Sequence, residues 1–446
     1  MLPAHTAKLA CGWALRNWVR SRWLARWLVG LALAAAVTSC QWLQGAAAES
    51  DSDVPINRVW SVATVTGMPP VIDPQNLYSE AGANRFSPAV KDALTRIYVP
   101  NRISGTVTVI DPTRMKVVGH FRVGINPQHV VPSWDLQTLW VVNNAENRTN
   151  GSVTPINPKT GRPGKSIPVD DPYNMYFTPD GQSAIVVAEE SQRLDFRDPH
   201  TMALQWSLPT PGCAGINHAD FSIDGRYALF TCEYGGGIAK IDLVKRQVAG
   251  YLTLSKDDGK KETRANFTPA PFTDVETGFP ICAGNGMPQD IRISPDGRIF
   301  YVADMLADGV YLVDGDSFTQ IGFIPTGRGA HGLYPSRDGT KLYVANRGSH
   351  RVEGKKHGLG SVSVIDFAKR QVVANWKIPG GGSPDMGNVT ADGRYLWLSG
   401  RFDNVVYRFD TTSGAVVSIP VGKEPHGLAV WPQPGRYSLG HTGNMR

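Results

Sequence analysis

The chain is short of most features that would anchor a simple functional assignment. Only 5 of its 446 residues are cysteine, too few and too scattered for a disulfide-built scaffold. It has no C-x-x-C-H haem-attachment motif and no paired C-x-x-C of zinc-ribbon spacing. G-x-S-x-G, H-E-x-x-H and P-loop patterns are missing too, which removes the common signatures of serine hydrolases, zinc proteases and nucleotide hydrolases. Long apolar runs are scarce. The one prominent run, WLVGLALAAAVTS at 27–39, has 13 residues, where a bilayer-spanning helix needs about 20. Charge is sparse at 19%, and the formal excess of +6 is local. Lys8, Arg16, Arg20, Arg22 and Arg26 precede residue 40 without an acidic residue among them; removing these five leaves 40 basic against 39 acidic residues. No basic stripe survives to neutralise phosphates, which argues against a nucleic-acid partner.

The first forty residues follow a targeting pattern: a basic, Trp-rich stretch, then the short apolar run as a signal-peptide core. Val37-Thr38-Ser39-Cys40 resembles a bacterial lipobox, in which Cys40 is acylated and becomes the first mature residue. Gln41 after the cysteine implies sorting to the outer membrane. We therefore expect a lipoprotein signal peptide over 1–39, lipidation at Cys40, and a flexible tether over 40–56. The partner at this end is then the membrane, through the lipid anchor, and the body of the chain lies in the periplasm. An uncleaved anchor, or plain secretion with Cys40 incidental, remains the alternative.

From there on the chain is repetitive. PDGRIFYVADMLADGVYLV (295–313), RDGTKLYVANRG…GSVSVID (337–366) and ADGRYLWLSGRFDNVVYRF (391–409) align closely. Weaker copies occupy 95–111, 135–157, 179–197 and 223–242. Each copy reads as an apolar strand, an Asp-Gly turn in which glycine tolerates positive φ, a strand ending near "YVAN", a small-residue turn, an alternating strand and a closing fourth strand. One such sheet cannot bury both faces alone, and a spacing of 40–50 residues fits the blades of a propeller. The fold class is thus all-β, a β-propeller of four-stranded antiparallel blades forming a single domain over 57–446. Candidate first strands near 84, 129, 174, 218, 290, 331, 386 and 426 predict eight blades, with seven the alternative. The last blade would be closed by the N-terminal strand 57–66 (NRVWSVATVT).

With these repeats the chain resembles the YVTN-repeat β-propellers. The segment DGRYALF…GGGIAKIDL is similar to blades of the d1-haem propeller domain of cytochrome cd1 nitrite reductases and of the related biosynthesis lipoprotein. That resemblance implies eight blades and a periplasmic setting. The missing C-x-x-C-H motif departs from the reductases and puts their electron-entry haem in doubt.

Aligned on the Asp-Gly turn, the first strands form a column at one face of the channel: Asn84, His129, Asn174, His218, Asp290, His331, Met386 and His426. Under eight blades the histidines alternate in a pseudo-fourfold ring. We expect this mouth to bind a small ligand or a periplasmic protein, with Arg347, Arg351, Lys355 and Lys356 available for ligand carboxylates. His129, His218, His331 and His426 are candidate ligands for a transition metal or a haem-like cofactor. Repeat descent alone would also place them in register. His350, His357 and His441 map to the same face. Cys213 and Cys282 begin adjacent blades and suggest a disulfide, which leaves Cys232 free or as part of a Cys232/His218/Met287 copper site. Asp290 with Asp385 is the one candidate carboxylate couple, and the insertion 255–287 is a candidate lid.

Overall fold

In the computed structural model, the described residues are 61–446 except Asn147, Thr149, 257–262, 265–271, 274–279, 282–285, 353–357 and Thr442. Seven antiparallel sheets form the blades. Blades 2, 3, 5, 6 and 7 are continuous in sequence, their first strands being Pro127–Pro132, Pro172–Phe177, Pro288–Ile293, Ala330–Pro335 and Pro384–Val389. Blade 4 begins with Ile216–Phe221 and gains a fifth strand, Thr263–Arg264, paired with Tyr251–Leu252 on its outer edge.

Blade 1 corrects the expected count. Its outer strands are Arg96–Asn101, Thr106–Asp111 and Lys116–Arg122, and its innermost strand is Ala429–Trp431 from the other end of the chain. No blade strand forms near 84, where short 3-10 turns at Ser79–Ala81 and Pro88–Val90 flank the site, so only the candidate near 426 supplies an innermost strand and the ring has seven blades rather than eight. Closure comes from the C-terminal strand. Residues 61–66 join no sheet, and 57–60 lie outside the described residues. Seven separate apolar clusters fill the seven blade-to-blade interfaces, the last joining Trp397, Val406 and Ile419 of blade 7 to Ile97, Val99 and Val430 of blade 1. Each fully buried aliphatic or aromatic side chain adds about 1.5–3 kcal/mol.

Local chemistry explains the repeat. In the Ser/Thr-x-Asp-Gly turns the hydroxyls of Thr178, Ser222, Ser294, Ser336 and Thr390 donate to Asp180, Asp224, Asp296, Asp338 and Asp392. The next residue has positive φ. Glycine fills that position in five blades, while Leu136 takes it in blade 2 at φ 64°. At the opposite end of the second strand, the "YVAN" amides of Asn101, Asn143 and Asn346 donate to Thr108, Thr154 and Ser363 on the third strand.

Two chain ends cover the base, the face that carries the Asp-Gly turns. Residues 61–95 cross it through backbone bonds from Val65 to Asp224, Leu77 to Pro295 and Asn84 to Ala391. Asn84 thus lies at the base and not at the mouth. The C-terminal tail folds back on itself and enters the channel, with Ser438 opposite Met445, the His441 N–H bonded to the Met175 carbonyl, and Arg446 bonded to Asp220.

Candidate functional site

A one-residue bulge recurs near the start of every first strand, marked by register shifts such as Pro127/His129, Ile216/Ala219 and Pro384/Gly387. A bulge re-aims side chains, so consecutive residues turn toward the axis. The expected single column therefore splits into two tiers. Nearer the mouth are His426, Gln128, Tyr173, Asn217, Gln289, His331 and Asp385. One residue deeper are His129, Asn174, His218, Asp290 and Met386, with Gly427 and Gly332 in the two remaining blades. The fourfold ring does not form. Instead the imidazoles follow one another down the channel, with ring centroids 6.1 Å apart for His331–His426, 4.7 Å for His426–His129 and 5.3 Å for His129–His218.

A third group, which the alignment did not single out beyond Arg347, surrounds the mouth. It consists of the residue that follows the "YVAN" position in each blade: Arg102, Asn144, Glu189, Glu233, Met305, Arg347 and Arg401. The signal was present in the sequence, one position beyond the aligned asparagine. Cations gather on blades 6, 7 and 1, and carboxyls on blades 3 and 4. Between them lies a narrow polar hollow of about 30 Å³, lined by Gln128, Tyr173, Gln289, His331 and His426 as well as by every member of this rim except Met305.

On the cationic side Asp385 is the hub. It accepts from Arg347 at 2.7 and 3.2 Å, His331 Nδ1 lies 3.0 Å away, and His426 Nε2 and Arg401 lie at 3.5 and 3.7 Å. Burial would raise the Asp385 pKa, but Arg347 and the two imidazoles outweigh it and hold the carboxyl well below the usual range. Burial, followed by the Arg347 charge, lowers His331 to about 4. Arg102 is tied at 2.7 Å to Glu424 and also to Glu146. On the acidic side Glu233 accepts from Asn217 at 2.7 Å and from Gln289 at 3.1 Å. Burial raises both Glu189 and Glu233, and the neighbouring Glu233 charge raises Glu189 further. The Oε1 atom of Glu189 is shielded from solvent without a hydrogen-bond partner.

Several expectations are corrected here. Cys213 is bonded to Cys232, whose Cα lies 4.8 Å away, so the pairing with Cys282 does not form. The reason is local: Cys232 ends the strand paired with Ile216, beside the turn that carries Cys213. The same bond removes Cys232 from the copper site expected with His218 and Met287. Asp290 and Asp385 do not form a couple; Asp290 is paired with Arg292 at 2.9 Å and stands one tier deeper. His350 bonds Asp308 at 2.7 Å, while the Arg351 carbonyl accepts from Arg347. Cys40, Cys282, Lys355, Lys356 and His357 lie outside the described residues, as does most of the candidate lid, of which 255–256, Thr263–Arg264, Phe272–Thr273, Pro280–Ile281 and 286–287 are described.

Seven radially packed blades around a plugged, charge-lined channel make this chain a seven-bladed β-propeller. Residues 282–434 match the model of the YNCE-like beta-propeller family. No curated protein matches the chain. Among solved structures it is similar to hydrazine synthase of Kuenenia stuttgartiensis, at 17% identity and a TM-score of 0.55, over 73% of this chain and 94% of that one. A putative 6-phosphogluconolactonase from Bacteroides uniformis gives 17% and 0.53, over 76% and 99%. A dihydro-heme d1 dehydrogenase in complex with DHE gives 16% and 0.50, over 75% of each chain. At these identities the likeness is one of fold.

Proposed function

We propose that this chain is a lipid-anchored periplasmic binding protein that takes a small polar ligand bearing a carboxylate at the channel mouth. The observation that carries the reading is the divided rim, with Arg347 and Arg401 facing Glu189 and Glu233 across a hollow. A ligand carboxylate fits the guanidinium side, where planar donors are already held by Asp385. A donor group, hydroxyl or ammonium, fits the carboxyl side, where Glu189 has an oxygen without a partner. The described lining residues include no serine, threonine, cysteine or lysine, and we read the hollow as a binding site. A haem-type group fits poorly, because the two imidazoles that line the hollow both face Asp385.

Amino acids and hydroxy or dicarboxylic acids, screened by thermal shift and then titrated calorimetrically, test this. Binding by one of these classes that falls at least about tenfold in Arg401→Gln and in Glu189→Gln is expected; a panel with no binder, or a binder indifferent to both substitutions, refutes it. Anchoring through Cys40 is tested by palmitate labelling and membrane fractionation, both of which Cys40→Ala should abolish.

A further inference from the structure

Below the mouth the channel narrows onto three imidazoles from three parts of the chain: His129 on blade 2, His218 on blade 4 and His441 in the C-terminal tail. Their ring centroids are 5.3, 4.9 and 4.6 Å apart, and one nitrogen from each lies within 4.8 Å of the others. All three side chains are completely buried. Neither ring nitrogen of His129 has a hydrogen-bond partner, and neither does Nε2 of His218. Buried polar atoms are rarely left so, and an unaccounted ion is one of the few explanations. We propose that His129, His218 and His441 form a binding site for a late first-row divalent cation of the copper–zinc class, which pins the C-terminal tail into the channel.

The donor set is what this class prefers: neutral imidazole with no hard oxygen-rich cage. Burial keeps the three rings neutral, with His129 lowered to about 3. Metal–nitrogen bonds of about 2.0–2.1 Å place tetrahedral ligands about 3.3 Å apart, so each ring has to close by under about 1 Å. His441 has a left-handed backbone, φ 38°, a conformation that is uncommon for a side-chain-bearing residue. Around it, Asp290 Oδ1, already paired with Arg292, lies 3.8 Å from His441 Nε2, which places a carboxylate beside the site at more than hydrogen-bond distance.

Asn174 sets the affinity. Its Oδ1 accepts from the Met175 N–H at 2.8 Å, which directs Nδ2 at Nδ1 of both His218 and His441, each 3.1 Å away. The amide thus treats both Nδ1 atoms as acceptors and competes with any metal that needs them as ligands or as N–H donors. A carboxylate at position 174 would relieve that competition. The other candidate cluster, His331/Asp385/His426, is a poor cation site, because Arg347 and Arg401 already lie 2.7 and 3.7 Å from Asp385. This proposal is independent of the ligand assigned to the mouth.

The full chain, stripped with chelator, is titrated calorimetrically with Cu²⁺ and with Zn²⁺, and the Cu²⁺ form is examined by electron paramagnetic resonance. One ion per chain, with nitrogen couplings from histidine, is expected. His441→Ala should weaken binding at least about a hundredfold, Asn174→Asp should tighten it, and His331→Ala should leave it within about twofold. No stoichiometric uptake, unchanged affinity in His441→Ala, or loss in His331→Ala with His441→Ala intact would each overturn the site. Unchanged affinity in Asn174→Asp would overturn the role given to the amide. Should His441→Ala fail to fold, a wild-type Cu²⁺ spectrum without imidazole nitrogen is decisive against the site.

Discussion

Asp304 occupies the place that asparagine holds in blades 1, 2 and 6, yet it is a fully buried carboxyl. Its Oδ1 accepts from the backbone N–H of Met287 at 2.9 Å and of Ala307 at 2.8 Å, while Oδ2 has no partner. Burial wins over these bonds and pushes its pKa from the ordinary 3.8 up to about 6. The folded state therefore holds this proton more tightly than the unfolded chain does. The stabilisation is complete below the unfolded value and is lost as pH rises through the folded one. At 1.36 kcal/mol per unit, ionised Asp304 costs about 3 kcal/mol by pH 7.5. Asp304→Asn keeps an oxygen for both backbone donors and carries no charge at any pH. Urea unfolding of the two proteins, followed by tryptophan fluorescence at pH 4, 5, 6 and 7.5, isolates this group because the other carboxyls titrate alike in both. The difference should move by about 2.4 kcal/mol in favour of asparagine from pH 4 to 7.5, with most of the change between pH 4 and 6. A difference that stays flat within about 0.5 kcal/mol would refute the argument that burial dominates at this position.

Other outcomes follow from the inner strands. Tyr334→Phe removes the hydroxyl that accepts from Gly387 N–H at 2.7 Å across the blade 6–7 interface, and should cost about 1–3 kcal/mol in the same assay. A Cβ at Gly387 would lie 1.7 Å from the Trp397 carbonyl oxygen, so Gly387→Ala should yield little soluble protein, whereas Gly119→Ala, with nothing within 4 Å, should express normally. Cys213→Ser with Cys232→Ser opens a bridge of sequence separation 19, worth about 3 kcal/mol, and should lower the urea midpoint without changing the far-ultraviolet spectrum.

Much of the blade was legible because its determinants are local. An Asp-Gly turn needs only the hydroxyl two residues before it and a residue tolerant of positive φ. The "YVAN" amide needs only Thr108 or Ser363 on the adjoining strand. These contacts close within a single blade and recur from blade to blade, so aligned copies reveal them. The count of blades was not legible in this way. Ala429–Trp431 pairs with Arg96–Asn101 from the far end of the chain, and no local pattern distinguishes half a blade from a whole one.

The histidines divide along the same line. Their alignment to the start of the inner strands came from the sequence, but a one-residue slip separates His331 and His426 from His129 and His218, and on a bulged strand that slip is a change of tier. The sequence paired Cys213 with Cys282 and left Cys232 free, whereas the turn beside Ile216 brings Cys232 within reach. His441 reaches the channel only because the tail folds back under the closed ring. By itself the sequence determined the repeating unit, its turns and the residues that face the axis, since these depend on hydrogen bonds between near neighbours. Tertiary structure alone decided the seven-fold closure, the two tiers, the divided rim and the imidazole trio, because each depends on which distant strands meet around a single axis.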